Sequence, residues 1–129
     1  MTQKHESRAS ATIDVLVIDD DRANAELIAR YINNSGFRAQ VETNSFAGMN
    51  ALRRLQPPVI LLDIQMPGMD GIRATGLART FSPGSRIILM SGYPNELSEA
   101  GQKAIGAFAI LEKPLPLPAV LDFIRRAVA

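Results

Sequence analysis

The sequence predicts an α/β fold of the doubly wound, flavodoxin-like kind: a five-stranded parallel sheet, order 2-1-3-4-5, with five flanking helices. Three observations predict it. Four short apolar runs, Val15-Leu16-Val17-Ile18, Val59-Ile60-Leu61-Leu62, Ile87-Ile88-Leu89-Met90 and Phe108-Ala109-Ile110-Leu111, are continuous rather than alternating, as strands buried on both faces read. Segments with helical spacing separate them, which implies right-handed crossovers and helices on both faces of the sheet. Each run leads into residues that carry chemistry: the triplet Asp19-Asp20-Asp21, then Asp63, Ser91 and Lys113. In a parallel sheet such residues gather at the carboxyl edge of the strands, where ligands bind.

Taken in order, residues 13–18 are expected as the first strand. Residues 22–34 follow as a helix, with Leu27, Ile28 and Tyr31 at helical spacing and Gly36 as a stop signal. Residues 38–43 read as a more polar strand near a sheet edge. A short helix over residues 46–55 ends before Pro57-Pro58, because proline cannot continue a helix and restricts the residue before it. The strand over 59–62 runs into the turn pair Pro67-Gly68, and Asp70 is placed to cap a helix reaching Thr80. A strand over 86–90 precedes Gly92 and Pro94, then a helix over 96–105 in which Gly101 lowers the propensity by about 1 kcal/mol relative to Ala. The last strand covers 108–111. The last helix has the clearest amphipathic pattern, with Leu117, Val120, Leu121, Ile124 and Val128 on one face and Arg125 and Arg126 in its final turns, where they complement the helix dipole.

The 129 residues suit one domain over 13–128, preceded by a polar leader over 1–12 expected to be disordered. The leader lacks the apolar centre of a secretory signal, and the only histidine, His5, lies in it and is read as solvated. A net charge of +1 gives no electrostatic case for nucleic acid or a membrane surface as partner. Without cysteine there is neither a disulfide framework nor a thiolate metal site. No apolar stretch approaches the roughly 20 residues of a membrane span. A cytoplasmic protein is expected.

Asp19 and Asp20 side by side at a strand end repel one another unless a cation offsets them. With Asp63 they make a hard-oxygen set suited to Mg²⁺, which binds through one or two carboxylates, waters and phosphate oxygens. An Asp beside such an ion can act as a nucleophile toward phosphorus. Ser91 can hydrogen-bond one phosphoryl oxygen, and Lys113 can pair with another as a point charge. Taken singly, Asp63 as a helix cap, Ser91 bonded to local backbone and a solvated Lys113 are the ordinary readings. All of them together at strand ends favour a phosphoryl site.

The stretches Val17-Ile18-Asp19-Asp20-Asp21, Leu61-Leu62-Asp63-Ile64-Gln65-Met66-Pro67-Gly68-Met69-Asp70-Gly71, Met90-Ser91-Gly92 and Glu112-Lys113-Pro114 resemble those of a response-regulator receiver domain of bacterial two-component signalling. The resemblance spans residues 13–128, and the second stretch is its most specific part. It implies a signalling switch that is no enzyme beyond its own phosphorylation and autodephosphorylation. Asp63 would be the phosphoacceptor, taking a phosphoryl group from a histidine-kinase phosphohistidine. Asp20 would ligate Mg²⁺ directly, Asp19 mainly through water, and Gln65 through its backbone carbonyl. Ser91 would be the switch hydroxyl and Lys113 its conformational partner, with a cis Lys113-Pro114 bond. Asp21 takes no firm role.

The departures bear on how such a switch would report its state. The family usually carries Tyr or Phe three residues before the lysine, and here Ile110 stands there, stiff at χ1 and without a polar tip. Tyr93 is a substitute candidate, beside the ordinary reading of an exposed loop tyrosine. Gln65 and Tyr93 also occupy the two positions that tune acyl-phosphate hydrolysis in the family, and a bulky Tyr93 implies slow autodephosphorylation. A sensor histidine kinase or histidine phosphotransfer protein would be the upstream partner. A protein target rather than nucleic acid or membrane is expected downstream, because these residues include no DNA-binding module. Monomer and phosphorylation-dependent dimer both fit, as do output switch and phosphate shuttle. A free-standing single-domain protein is expected, with a receiver derived from a hybrid kinase as one alternative. Another is a haloacid-dehalogenase-type phosphatase with Asp19 as nucleophile, although only Asp122 follows the lysine where those enzymes need an acidic pair.

Overall fold

The apolar runs become the middle of a parallel sheet. Residues 12–92 and 106–128 are described by the structure, a computed structural model. In chain order the elements are β1 (Val15–Ile18), α1 (Arg22–Asn34), β2 (Ala39–Glu42), α2 (Ser45–Leu55), β3 (Val59–Asp63), β4 (Gln65–Met66), β5 (Met69–Asp70), α3 (Gly71–Phe81), β6 (Arg86–Ser91), β7 (Ala109–Glu112) and α4 (Leu117–Val128). The five-stranded sheet runs β2-β1-β3-β6-β7, every neighbouring pair parallel. The numbering jumps only because β4 and β5 form a separate antiparallel hairpin; the strands of the main sheet, taken in chain order, run 2-1-3-4-5. Four of the five expected helices are present. The helix expected over 96–105 lies outside the described residues, as do Tyr93 and the expected leader apart from Thr12.

Strand geometry sends successive side chains to opposite faces, and the core divides accordingly. Leu16, Ile18, Ile60, Leu62, Ile87 and Leu89 pack on one side against Met49, Leu52, Ala74 and Ala78 of α2 and α3. Val15, Val17, Val59, Leu61, Ile88 and Met90 pack on the other against Ile28, Ile32, Val120 and Ile124 of α1 and α4. Both faces of β1 and β3 are covered, so these strands are fully buried. The more polar β2 is half-buried at one edge, as its composition predicts, and β7 forms the other edge.

Polar side chains set where the elements begin. Asp21, Asn44 and Asp70 cap α1, α2 and α3, each accepting the backbone N–H three residues on, from Asn24, Ala47 and Arg73. The first strand starts at Val15 rather than residue 13; Asp14, just before it, accepts the Arg38 N–H on its carboxylate (2.8 Å) and donates its own N–H to the Arg38 carbonyl (2.9 Å). Three strands run one residue further than their apolar runs: Asp63, Ser91 and Glu112 are the last residues of β3, β6 and β7. The β4–β5 hairpin, which no periodicity announces, turns on Pro67 and on Gly68 at φ +84°, the residue pair that a type II turn needs.

That hairpin delivers the chain to α3 under a steric constraint. A Cβ on Gly71 would stand 2.5 Å from Ile64 Cβ and 3.2 Å from its Cα. Gly71→Ala is therefore expected to cost about 1–3 kcal/mol through overpacking, seen as a lower urea midpoint at constant slope. Gly76→Ala, with nothing within 4 Å of the added carbon, is the matched control and is expected to be neutral or mildly stabilising. Equal midpoints for the two variants would remove the close approach as the reason for glycine at 71.

Candidate functional site

The carboxyl ends of β1, β3 and β6 sit side by side, and the register Ile18↔Leu62 and Asp63↔Met90 brings their acidic and hydroxyl residues to one edge. Asp19, Asp20 and Asp63 each offer a carboxylate oxygen within 4.8 Å of the others. Asp19 is fully buried and Asp63 is 4% exposed, while Asp20 faces solvent. Lys113, immediately after β7, reaches across with Nζ 3.0 Å from Asp63 Oδ2 and 3.2 Å from Asp19 Oδ2. Its own N–H donates to the Ser91 carbonyl (2.8 Å), which ties the lysine to the end of β6. The Lys113-Pro114 peptide is cis. Ser91 itself is fully buried.

The carboxylates are held from behind by backbone. The Asp21 N–H donates to Asp19 Oδ1 and the Gln65 N–H to Asp63 Oδ1, both at 3.0 Å. The two acids then part ways electrostatically. For Asp63, burial is the largest influence and pushes the carboxyl up to about 6, reinforced by Asp19 and opposed by the Gln65 N–H and Lys113. For Asp19, burial also pushes up but is outweighed by the Asp21 N–H, the Asn24 amide, a hydrogen bond with the Asp63 carboxyl and the Lys113 charge, so its carboxyl lies below the usual range. Lys113 loses by desolvation but gains more from the two carboxylates, and is held above its ordinary value. Three carboxylates and one ammonium leave two negative charges when all are ionised, the complement of a divalent cation. An all-oxygen donor set with one exposed member suits Mg²⁺, which keeps part of its water shell.

The expected site residues divide under this geometry. Asp19, Asp20, Asp63 and Lys113 converge directly, and Ser91 is linked to the cluster through the Lys113 backbone. The Gln65 side chain is exposed, and its Oε1 lies 4.0 Å from where a Cβ on Gly92 would stand. Asp21 is not in the cluster; it caps α1. Ile110 is half-buried and packs into the α2–α3 side of the core, so the position usually given to an aromatic is filled by an inward-facing aliphatic.

One residue was missed. Asn24, in the first turn of α1, donates its amide to Asp19 Oδ2 at 3.0 Å. That bond shares the oxygen with Lys113 and occupies the side of Asp19 that its own backbone does not hold. Nothing in the spacing marks an asparagine there as anything but a solvated helix residue, and only the Asp21 cap, which turns the helix toward β1, aims it inward. Asn24→Ala is expected to weaken Mg²⁺ binding by about tenfold through a less fixed Asp19, measured by calorimetric titration. Unchanged affinity would reduce the residue to a helix-surface contact.

The comparisons with known proteins agree with this geometry. The response regulator receiver domain pattern matches residues 15–125. The chain belongs to the response regulator receiver family. Among curated relatives, this receiver domain is 24% identical over 112 residues to the sporulation initiation phosphotransferase F of Bacillus subtilis, covering 87% of the chain and 90% of that protein. It is 31% identical over 112 residues to the response regulator protein FleR of Pseudomonas aeruginosa, where it spans only 24% of that protein's length. Among solved structures, the response regulator domain of Thermotoga maritima CheB is similar at 26% identity with a TM-score of 0.76, covering 90% of this chain and 96% of that one. With membership of the receiver family, the phosphatase reading built on Asp19 as nucleophile falls away; Asp19 is moreover fully buried, with both oxygens engaged. Among the described residues no helix is long and apolar enough to cross a membrane.

Proposed function

We propose that this receiver domain accepts a phosphoryl group on Asp63 from the phosphohistidine of a sensor kinase or histidine phosphotransfer protein, and relays the event to a protein partner by conformational change. The observation that carries the reading is the convergence on Asp63 of one cation and two further carboxylates within a few ångströms. An Asp63 oxygen attacks phosphorus, the N–P bond of phosphohistidine breaks, and the departing imidazole nitrogen takes up a proton from solvent. Asp19, Asp20, Asp63 and the Gln65 carbonyl would hold Mg²⁺, whose chemistry is to neutralise the charge that repels an incoming phosphoryl group. Lys113 then exchanges its carboxylate partners for a phosphoryl oxygen, and the Ser91 hydroxyl takes another. Because Lys113 N–H is bonded to the Ser91 carbonyl, movement of either is felt at the β6–β7 edge of the sheet. The phosphoryl group shifts the population toward the arrangement in which both bonds form.

Output switch and phosphate shuttle use the same site, and the reading includes a cytoplasmic location beside the kinase. Intact mass after incubation with Mg²⁺ and acetyl phosphate tests the reading. One added phosphoryl group, dependent on the metal and labile in alkali, is expected. An adduct that persists in Asp63→Asn overturns the assignment of Asp63.

A further inference from the structure

On the side of the sheet where α2 and α3 pack, a groove of about 360 Å³ opens between the two helices, and none of the residues that line it belongs to the acidic cluster. Phe46 and Met49 of α2 face Leu77 and Phe81 of α3 across it, and its lining is mostly apolar. Phe46 stands at its rim with 77% of its surface exposed, the most exposed large apolar residue among those described. Neither the core nor the phosphoryl site requires a phenylalanine in water. An apolar groove with an aromatic at its lip is how a surface that takes a partner's side chains looks.

The charge beside the groove is fixed and one-signed. The Arg53 guanidinium lies 5.2 Å from the Phe81 ring centroid and donates from Nη2 to Asn50 Oδ1 at 2.7 Å. It is thus held at the groove wall in a set orientation, and among the described residues no carboxylate pairs with it. Arg54 follows on α2, and Arg73 lies one turn before Leu77 on the same face of α3. Neither helix contains an acidic residue, and Asp70, the residue before α3, is spent on capping it. A pinned guanidinium with free N–H donors is prepared for a bidentate carboxylate.

We infer that the α2–α3 groove docks an acidic amphipathic helix of a partner protein, its apolar stripe against Phe46, Met49, Leu77 and Phe81 and its carboxylates on Arg53 and its neighbours. Anchors at i, i+3, i+4 and i+7 are what a groove between two helices reads. The inference stands on this surface alone and does not depend on the chemistry of Asp63.

The test uses the full chain and a fluorescein-labelled synthetic peptide of about four helical turns, with a leucine stripe at that spacing flanked by glutamates. Its twin carries lysines in place of the glutamates. Fluorescence anisotropy is expected to show the glutamate peptide binding at least about tenfold more tightly than the lysine twin. Phe46→Ser should weaken that binding about tenfold, and Arg53→Glu should reverse the preference between the twins. Both positions are exposed, and circular dichroism checks that the variants are folded. Failure of the glutamate peptide to bind, equal binding of the twins, or binding indifferent to both substitutions overturns the inference. So does sedimentation showing a dimer that Phe46→Ser dissociates, since the groove would then be covered by a second copy of the chain.

Discussion

Asp63→Asn will make the metal-free protein more stable at neutral pH while abolishing its phosphorylation. In the wild type, Asp63 and Asp19 are two buried carboxylates within reach of one another, with a single ammonium between them. Burial and the neighbouring Asp19 raise the Asp63 carboxyl to about 6, against 3.8 for a free aspartate. A folded state that holds its proton more tightly than the unfolded chain gains stability at low pH. That gain is complete below pH 4 and is lost as the pH rises through 6. Above pH 6 the folded protein therefore carries a penalty of about 2–3 kcal/mol on account of this residue. The asparagine variant has no such term. In EDTA at pH 7.5 its melting temperature should exceed the wild type's by about 5–10 °C, and the difference should shrink toward pH 4.5. Millimolar Mg²⁺ should also narrow it, because the ion adds more stability to the protein that binds it more tightly, the one with all three carboxylates. A variant that melts at or below the wild type at every pH would mean that Lys113 fully offsets the repulsion, and that Asp63 is not held in a strained electrostatic state.

This conflict between stability and chemistry explains why parts of the site were legible in the sequence and parts were not. A carboxylate at the end of a continuous apolar strand makes no sense for packing, so Asp63 and the Asp19-Asp20 pair stand out in the sequence itself. The sheet was legible for the same reason: Val15 to Ile18 and Val59 to Leu62 leave no polar face for solvent, which only a sheet covered on both sides can use. Three consecutive aspartates, however, look alike in a sequence. Their division into a buried acid (Asp19), an exposed one (Asp20) and a helix cap (Asp21) follows from how the chain turns out of β1. Asn24 was invisible because its role depends on that turn. The β4–β5 hairpin was invisible because two-residue strands are too short to show a period, although its Pro67-Gly68 turn was apparent. The α2–α3 groove was also beyond the sequence. Phe46, Met49, Leu77 and Phe81 are apolar residues three or four apart on their helices, a spacing that does not tell buried from exposed, and only packing shows that α2 and α3 leave part of that surface uncovered.

Removing Lys113 should have the opposite effect to removing Asp63, and the comparison separates the two roles proposed for this lysine. Lys113→Met keeps an aliphatic stem of similar length and deletes the charge that lies 3.0 and 3.2 Å from two buried carboxylates. Breaking a buried ion pair by taking one partner typically costs about 3–5 kcal/mol, because the remaining charge is left uncompensated. The sign with pH follows from the lysine's raised value in the folded protein: its stabilisation is fully present below the ordinary lysine range and is lost only in strong alkali. At pH 7.5 in EDTA the variant should therefore show the full loss. Near pH 5 a proton on Asp63 can replace the missing ammonium, so the deficit should fall by about half or more. Mg²⁺ should restore more stability to the variant than it adds to the wild type, since no ammonium competes for the same oxygens. If Lys113 is also the reporter of phosphorylation, the variant should still form the Asp63 adduct in Mg²⁺ and acetyl phosphate. Hydrogen exchange at the β6–β7 edge, where the Lys113 N–H meets the Ser91 carbonyl, should then change on phosphorylation in the wild type and stay constant in the variant. An exchange change of equal size in both proteins would leave Lys113 a counterion for the cluster and move the relay to Ser91 alone.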